Sequence, residues 1–151
     1  MTVGEKLLQV RALLKVKPTQ VTAVKEKSKQ FIEDLISGLH VESMILDGKY
    51  YMTNENNMLN IIAWDWTEKK NAIYDKYDCD NYAFTLMSNV GRYYDLNQVG
   101  VVIDWTSKHA YNIILFSNKN IWLFEPQTDS FFFVSKRQKF LYSLEDAVVI
   151  I

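Results

Sequence analysis

YDCDNYAF, residues 77 to 84, holds Cys79, the single cysteine of a 151-residue chain, between Asp78 and Asp80. From Cys79 onward Tyr82, Ala83, Leu86, Met87 and Val90 recur at three- and four-residue steps, the spacing of a helix face, and Gly91 sits near the end of the run. Asp78 is placed to cap that helix by accepting from its first unpaired N–H groups. Beyond it the pattern changes to strands at 100 to 105, 109 to 117, 120 to 126, 130 to 135 and 146 to 151. Short Asn-, Pro- and Ser-containing links between them suggest an antiparallel meander. The stretch therefore marks a switch from helices to sheet, and the fold class is α+β.

Upstream of the stretch, Leu7, Val10 and Leu14 predict an amphipathic helix over 3 to 16 that Pro18 ends. A second helix is expected over 19 to 37, with Phe31, Ile32, Leu35 and Ile36 on one side and Gly38 as its stop. Asp47-Gly48 lies between apolar runs and predicts a hairpin over 43 to 53. Asn54 can cap a short helix carrying Met58, Leu59, Ile61 and Ile62, after which Trp64 and Trp66 precede a polar link. This Trp pair reads first as packing, with the lining of an acceptor cleft as the alternative. Phe131, Phe132 and Phe133 alternate across a strand, so at least one face has to meet another element.

A chain of this length fits one domain, 1 to 151, with basic amphipathic helices over 1 to 40 and a core helix plus sheet over 77 to 151. Its formal net charge of −1 gives no overall reason to expect nucleic acid. Residues 1 to 30 carry a local basic excess, so helices 3 to 37 offer a surface for an anionic or protein partner. No run reaches the roughly 18 to 20 apolar residues that cross a bilayer, and Glu5 and Lys6 interrupt any leader-like stretch, so a cytoplasmic or phage-particle location is expected. One cysteine excludes an intramolecular disulfide, and the two histidines, His40 and His109, have no zinc-ligand spacing, so neither metal nor cofactor is expected. His40 reads as a surface residue.

The chemistry centres on Cys79. A lone cysteine is most often a small buried group. At a helix start, however, the positive end of the helix dipole favours a thiolate. His109 opens one predicted strand and Glu125 closes the next, so a hairpin pairing brings imidazole and carboxylate together. Asp129 and Asp104 are alternative third members. Asn112 and Gln127 could donate to an oxyanion, and Trp105 could contact a substrate.

Asp78-Cys79-Asp80-Asn81-Tyr82-Ala83, then His109-Ala110, then an acid after the following strand, resembles the papain-like cysteine superfamily. The likeness is greatest to bacterial transglutaminase-like cysteine proteinases and covers residues 77 to 130. In that group the third member is usually Asp, where this chain has Glu125. The resemblance implies a papain-like or transglutaminase-like fold and a cysteine-dependent hydrolase or acyl transferase acting on an amide or peptide bond. Cys79 would be the nucleophile, His109 the base and Glu125 the orienting acid. The alternative is a catalytically inactive papain-like binding or structural module of phage or mobile-element origin.

Overall fold

The computed structural model describes residues 21–134 and 141–151. The helix expected over 3 to 16 lies outside them. The first described element is a strand, β1 (Lys25–Ser28), and helix α1 (Lys29–Ser37) begins only after it. The second helix is thus shorter than expected at its start. Lys25 to Ser28 pair antiparallel with β3 (Lys49–Met52), and Lys49 Nζ meets Glu26 Oε1 at 2.8 Å across the ladder. Ser28 then caps α1 by accepting from Phe31 N–H. Gly38 follows α1 in a right-handed conformation, not the left-handed one of a glycine stop.

The expected hairpin over 43 to 53 does not form. β2 (Glu42–Met44) pairs in parallel with β8 (Ala147–Ile150), while β3 pairs with β1. Two long-range bonds, Leu46 N–H to the Ile151 carbonyl and Ile151 N–H to the Met44 carbonyl, hold the chain that a tight turn would have used. Gly48 accordingly has no positive φ.

Helix α2 (Glu55–Trp64) starts at Asn54, whose side chain accepts from Asn57 N–H at 2.9 Å. Helix α3 (Cys79–Tyr94) precedes β4 (Val99–Asp104), β5 (His109–Leu115), β6 (Ile121–Glu125) and β7 (Ser130–Phe133). These strands and β2 and β8 form one six-stranded sheet in the order β2-β8-β4-β5-β6-β7, antiparallel except for the β2–β8 pair.

The two-residue period of β5 builds the core. Tyr111, Ile113 and Leu115 join Ile32 and Ile36 of α1 and Tyr50 and Met52 of β3 on one face. Ile114 joins Met58, Ile61 and Ile62 of α2 and Leu86 and Val90 of α3 on the other. The sheet is therefore covered on both faces. Each such buried side chain contributes about 1.5–3 kcal/mol of transfer free energy. Of the three consecutive phenylalanines, Phe131 packs on Trp122 and Phe124, and Phe132 stacks on Tyr142. Phe133 is exposed.

Asn112 fastens α3 to the sheet. It is fully buried, and its amide donates to the Ala83 carbonyl at 2.9 Å and the Gly100 carbonyl at 3.0 Å. Gly100 itself has no room for a side chain, because a Cβ there would lie 2.7 Å from the Ile150 carbonyl oxygen.

Candidate functional site

Cys79 is the first residue of α3, with Asp78 at the N-cap and the Asn81 side-chain oxygen accepting from Asp78 N–H at 3.1 Å. The thiol is half-buried against the small cluster of Ala83, Val101 and Ala110. Cys79, Asp78, Asp80, Trp105, Lys108 and His109 all line one cleft of about 760 Å³. The cleft lies between the start of α3 and the turn joining β4 to β5, with Trp105 60% exposed on that turn.

β5 places His109 at the cleft, and the β5–β6 pairing brings Glu125 to it: His109 Nε2 and Glu125 Oε2 are 2.5 Å apart. The same carboxylate oxygen accepts from the Tyr142 hydroxyl at 2.9 Å, and its other oxygen accepts from Gln127 N–H at 3.1 Å. Burial, and then the charge and hydrogen bond of Glu125, push the Tyr142 hydroxyl well above the ordinary tyrosine range. It therefore stays a donor, and Glu125 is held from three sides. With Nε2 engaged, Nδ1 is the His109 ring nitrogen left to meet a ligand.

Of the residues singled out in the sequence, the fold thus brings Cys79, His109 and Trp105 to one cleft and Glu125 onto His109. Asp104 is fully buried and accepts from the Tyr111 hydroxyl and Ser107 N–H, so it is not the acid bonded to the imidazole. Asp129 is buried after β6. Asn112 is corrected as an oxyanion donor, since both donors of its amide are taken by backbone carbonyls in the core. Gln127 contributes a backbone N–H to Glu125 and does not line the cleft. Tyr142 was missed, because it falls in a segment without apolar periodicity.

Two carboxylates side by side set the electrostatics of the cleft mouth. A hydrogen bond with Asp80, then burial, then the Asp80 charge hold Asp78 above its ordinary value. Asp78, Cys79 and Asp80 bring one ligand atom each within 4.8 Å of one another. The carboxylates suit a hard cation and the thiol a soft one, so the set favours no single metal.

A second cleft, of about 470 Å³, opens beside α3. Trp64 and Trp66 stack in it at 5.6 Å with an interplanar angle of 11°, and Trp66 is 66% exposed. The pair is therefore not simply buried packing.

Residues 17–147 match the family described as "Ricin-type beta-trefoil lectin C-terminal domain". The chain belongs to that family. No curated protein matches it. Among solved structures it is similar to "PSL1a-E64 complex", at 15% identity and TM-score 0.64 over 83% of this chain and 51% of that one. It is also similar to the Polyporus squamosus lectin bound to the epitope Neu5Aca2-6Galb1-4GlcNAc, at 14% identity and TM-score 0.59 over 82% of this chain and 49% of that one. The lectin-family chain thus spans about half the length of the two solved structures.

This membership corrects the papain-like or transglutaminase-like assignment. With it fall the expected cysteine-dependent hydrolase or acyl transferase and its peptide or amide substrate. The physical reason is the reach of the signal. A cysteine at a helix start and a histidine at a strand end are local features, whereas the family match runs through nearly every element. The alternative of an inactive binding module is nearer in kind, but the papain-like scaffold it named is corrected too.

Proposed function

We propose that this chain is a carbohydrate-binding module of a lectin and holds a sugar in the cleft at the start of α3. The observation that carries the reading is the exposed ring of Trp105 at the mouth of a cleft whose walls carry Asp78, Asp80, Lys108 and His109. A sugar presents an apolar face of C–H groups and a rim of hydroxyls. An exposed indole covers the first, and carboxylates, imidazole and ammonium exchange hydrogen bonds with the second. Few, fixed polar groups beside an aromatic wall are the usual anatomy of a small-ligand site. In this reading Cys79 forms part of the wall, and Glu125 fixes the His109 ring through the bonds that Tyr142 and Gln127 share with it. Lectin family membership supports the ligand class, as does the sialylated epitope held by the Polyporus squamosus lectin.

The test is calorimetric titration of the protein with Neu5Aca2-6Galb1-4GlcNAc and with its unsialylated disaccharide. The expected result is saturable binding by at least one of them, weakened roughly tenfold or more by Trp105→Ala with the thermal midpoint unchanged, in keeping with the loss of one well-packed aromatic contact. Alkylating Cys79 with iodoacetamide should block the cleft, and bound sugar should slow the alkylation. Absence of binding by either saccharide, or binding that Trp105→Ala leaves untouched, overturns the reading.

A further inference from the structure

The second cleft sets aromatic rings around a floor of hydrogen-bond acceptors. Asp65 Oδ1 accepts from the Asn89 amide at 2.8 Å and Asp65 Oδ2 from Thr67 N–H at 2.9 Å. An ionised carboxylate has about four acceptor sites, so Asp65 retains capacity after these two bonds. Among the described residues it has no ion-pair partner. A carboxylate only accepts, so the Asn89 group that faces it is the amide nitrogen, which also reaches Thr67 Oγ1 at 3.5 Å. The Asn89 carbonyl oxygen is thereby left to accept. Burial, and then the Asp65 charge, raise the Tyr94 hydroxyl above the ordinary tyrosine range, so that charge is felt within the cleft. Trp66, stacked on Trp64, is 66% exposed at the rim. The chain already lays a cation of its own on this aromatic lining: Lys70 Nζ lies 5.6 Å from the Tyr77 ring centroid. The Tyr82 hydroxyl anchors the Lys70 carbonyl, while Lys70 as a whole is exposed.

From this we infer that the cleft between the Trp64–Trp66 pair and the middle of α3 binds a guanidinium group, with Trp66 stacking on its plane, Asp65 and the Asn89 carbonyl accepting its N–H groups, and the Lys70 ammonium as the resident cation it displaces. A guanidinium is planar, weakly hydrated and made only of donors, so it can lie on an indole and give hydrogen bonds at its edge together. Other ligand classes fit less well. A purely apolar ligand would strip water from Asp65 and Asn89 and leave their acceptors unmet. A quaternary ammonium suits the rings but has no N–H to offer the floor. An anion would meet Lys70 and, with it, the repulsion of Asp65. The position of Lys70 shows that these rings accept a positive charge, and an exposed lysine swings back into water at little cost. The volume of about 470 Å³ is in the range of small-ligand sites. A free guanidinium compound and the arginine side chain of a protein partner share this chemistry. The inference rests on this cleft alone and is independent of what the first cleft holds.

The chain has four tryptophans, Trp64, Trp66, Trp105 and Trp122, so 5-fluorotryptophan labelling of the whole protein gives fluorine signals for both clefts and for a packed control. N-acetyl-arginine amide should shift the Trp64 and Trp66 signals saturably, with Trp122, packed between Phe116 and Phe131, unmoved. Its neutral counterpart N-acetyl-citrulline amide, and tetramethylammonium, should leave both signals in place. Lys70→Ala should tighten the response severalfold, since it removes the competing cation. Asp65→Asn should weaken it roughly tenfold or more, as should Trp66→Ala read at Trp64, and Trp66→Phe should restore most of what the alanine loses. Methylguanidinium separates the sources: a response equal to that of the arginine amide assigns a free guanidinium compound, and a response to the arginine amide alone assigns an arginine side chain on a partner. No shift at Trp64 and Trp66, a shift confined to Trp105, or an equal drift in all four signals overturns the site. So does an equal response to the citrulline amide, or weaker binding in Lys70→Ala.

Discussion

The cleft at Cys79 takes its walls from strand ends and a helix cap, whereas the cleft at Trp66 lies between the middle of α3 and the chain that joins α2 to α3. In the first, His109 is held by Glu125, which Tyr142 and Gln127 hold in turn, all of them anchored on or beside the sheet. In the second, a short 3-10 turn over Thr67–Lys69 and the isolated Ile73–Tyr77 bridge shape the connecting side, which is tied to α3 by the Asn89–Asp65 and Tyr77–Thr85 hydrogen bonds. A site on regular elements keeps its geometry through the core, while a site on a connecting segment keeps it through its own side-chain bonds. Mutations should therefore separate the two.

Glu125→Ala should produce the largest effect. It removes the acceptor for the Tyr142 hydroxyl and the His109 ring, two groups in or near the core, and should lower unfolding stability by about 3 kcal/mol in urea titration. Sugar response at Trp105 should fall with it, while the 5-fluorotryptophan signals of Trp64 and Trp66 stay in place below the unfolding transition. Displacement of the Trp64 and Trp66 signals in the folded variant would break the comparison.

Asn112→Ala should come next, at about 2 kcal/mol, because the Ala83 and Gly100 carbonyls lose their side-chain donor. Here the two clefts should respond together, since α3 forms a wall of each. A variant that loses stability without shifting the Trp66 or Trp105 signal would show that the position of α3 is not what aligns them.

The smallest effect is expected from Asp80→Asn. Asp78 is held above its ordinary value of 3.8 by Asp80. A raised carboxyl stays protonated in the folded chain where the unfolded chain has already ionised, so stability is lost as pH rises from 3.8 through the raised value. Removing the Asp80 charge should lift the thermal midpoint slightly at neutral pH and make no difference below 3.8. The aromatic cleft should not sense the change at any pH.

Much of the sheet was legible in the sequence. GVVIDW and HAYNIILFS are bounded by turn residues, and β4 and β5 begin within a residue of where those runs do. The His109–Glu125 contact was legible too, because a short link between two strands sets which ends meet. What was not legible depends on distant partners. Lys25 to Ser28 read as the start of a helix until β3 supplied a ladder, and Asp47-Gly48 read as a turn until β8 captured its neighbours. Tyr142 carries no local signal, and neither does the approach of Asn89 to Asp65 across 24 positions. The family was misread because the conspicuous residues form a short local pattern, while membership is spread over the whole fold.

Asn97 and Gln98, between α3 and β4, join the β1–β3 ribbon to the large sheet. Asn97 accepts from Tyr51 N–H and donates to the Lys49 carbonyl. Gln98, fully buried, accepts from Thr53 N–H and donates to the Thr53 and Leu115 carbonyls. Two side-chain amides thus stand in for a missing strand. A two-stranded ribbon on its own opens easily, but one spliced in this way shares the cooperative unit of the sheet. In hydrogen exchange, the Tyr51 and Thr53 amides should open only when β5 opens, so the edge of the molecule inherits the lifetime of its centre.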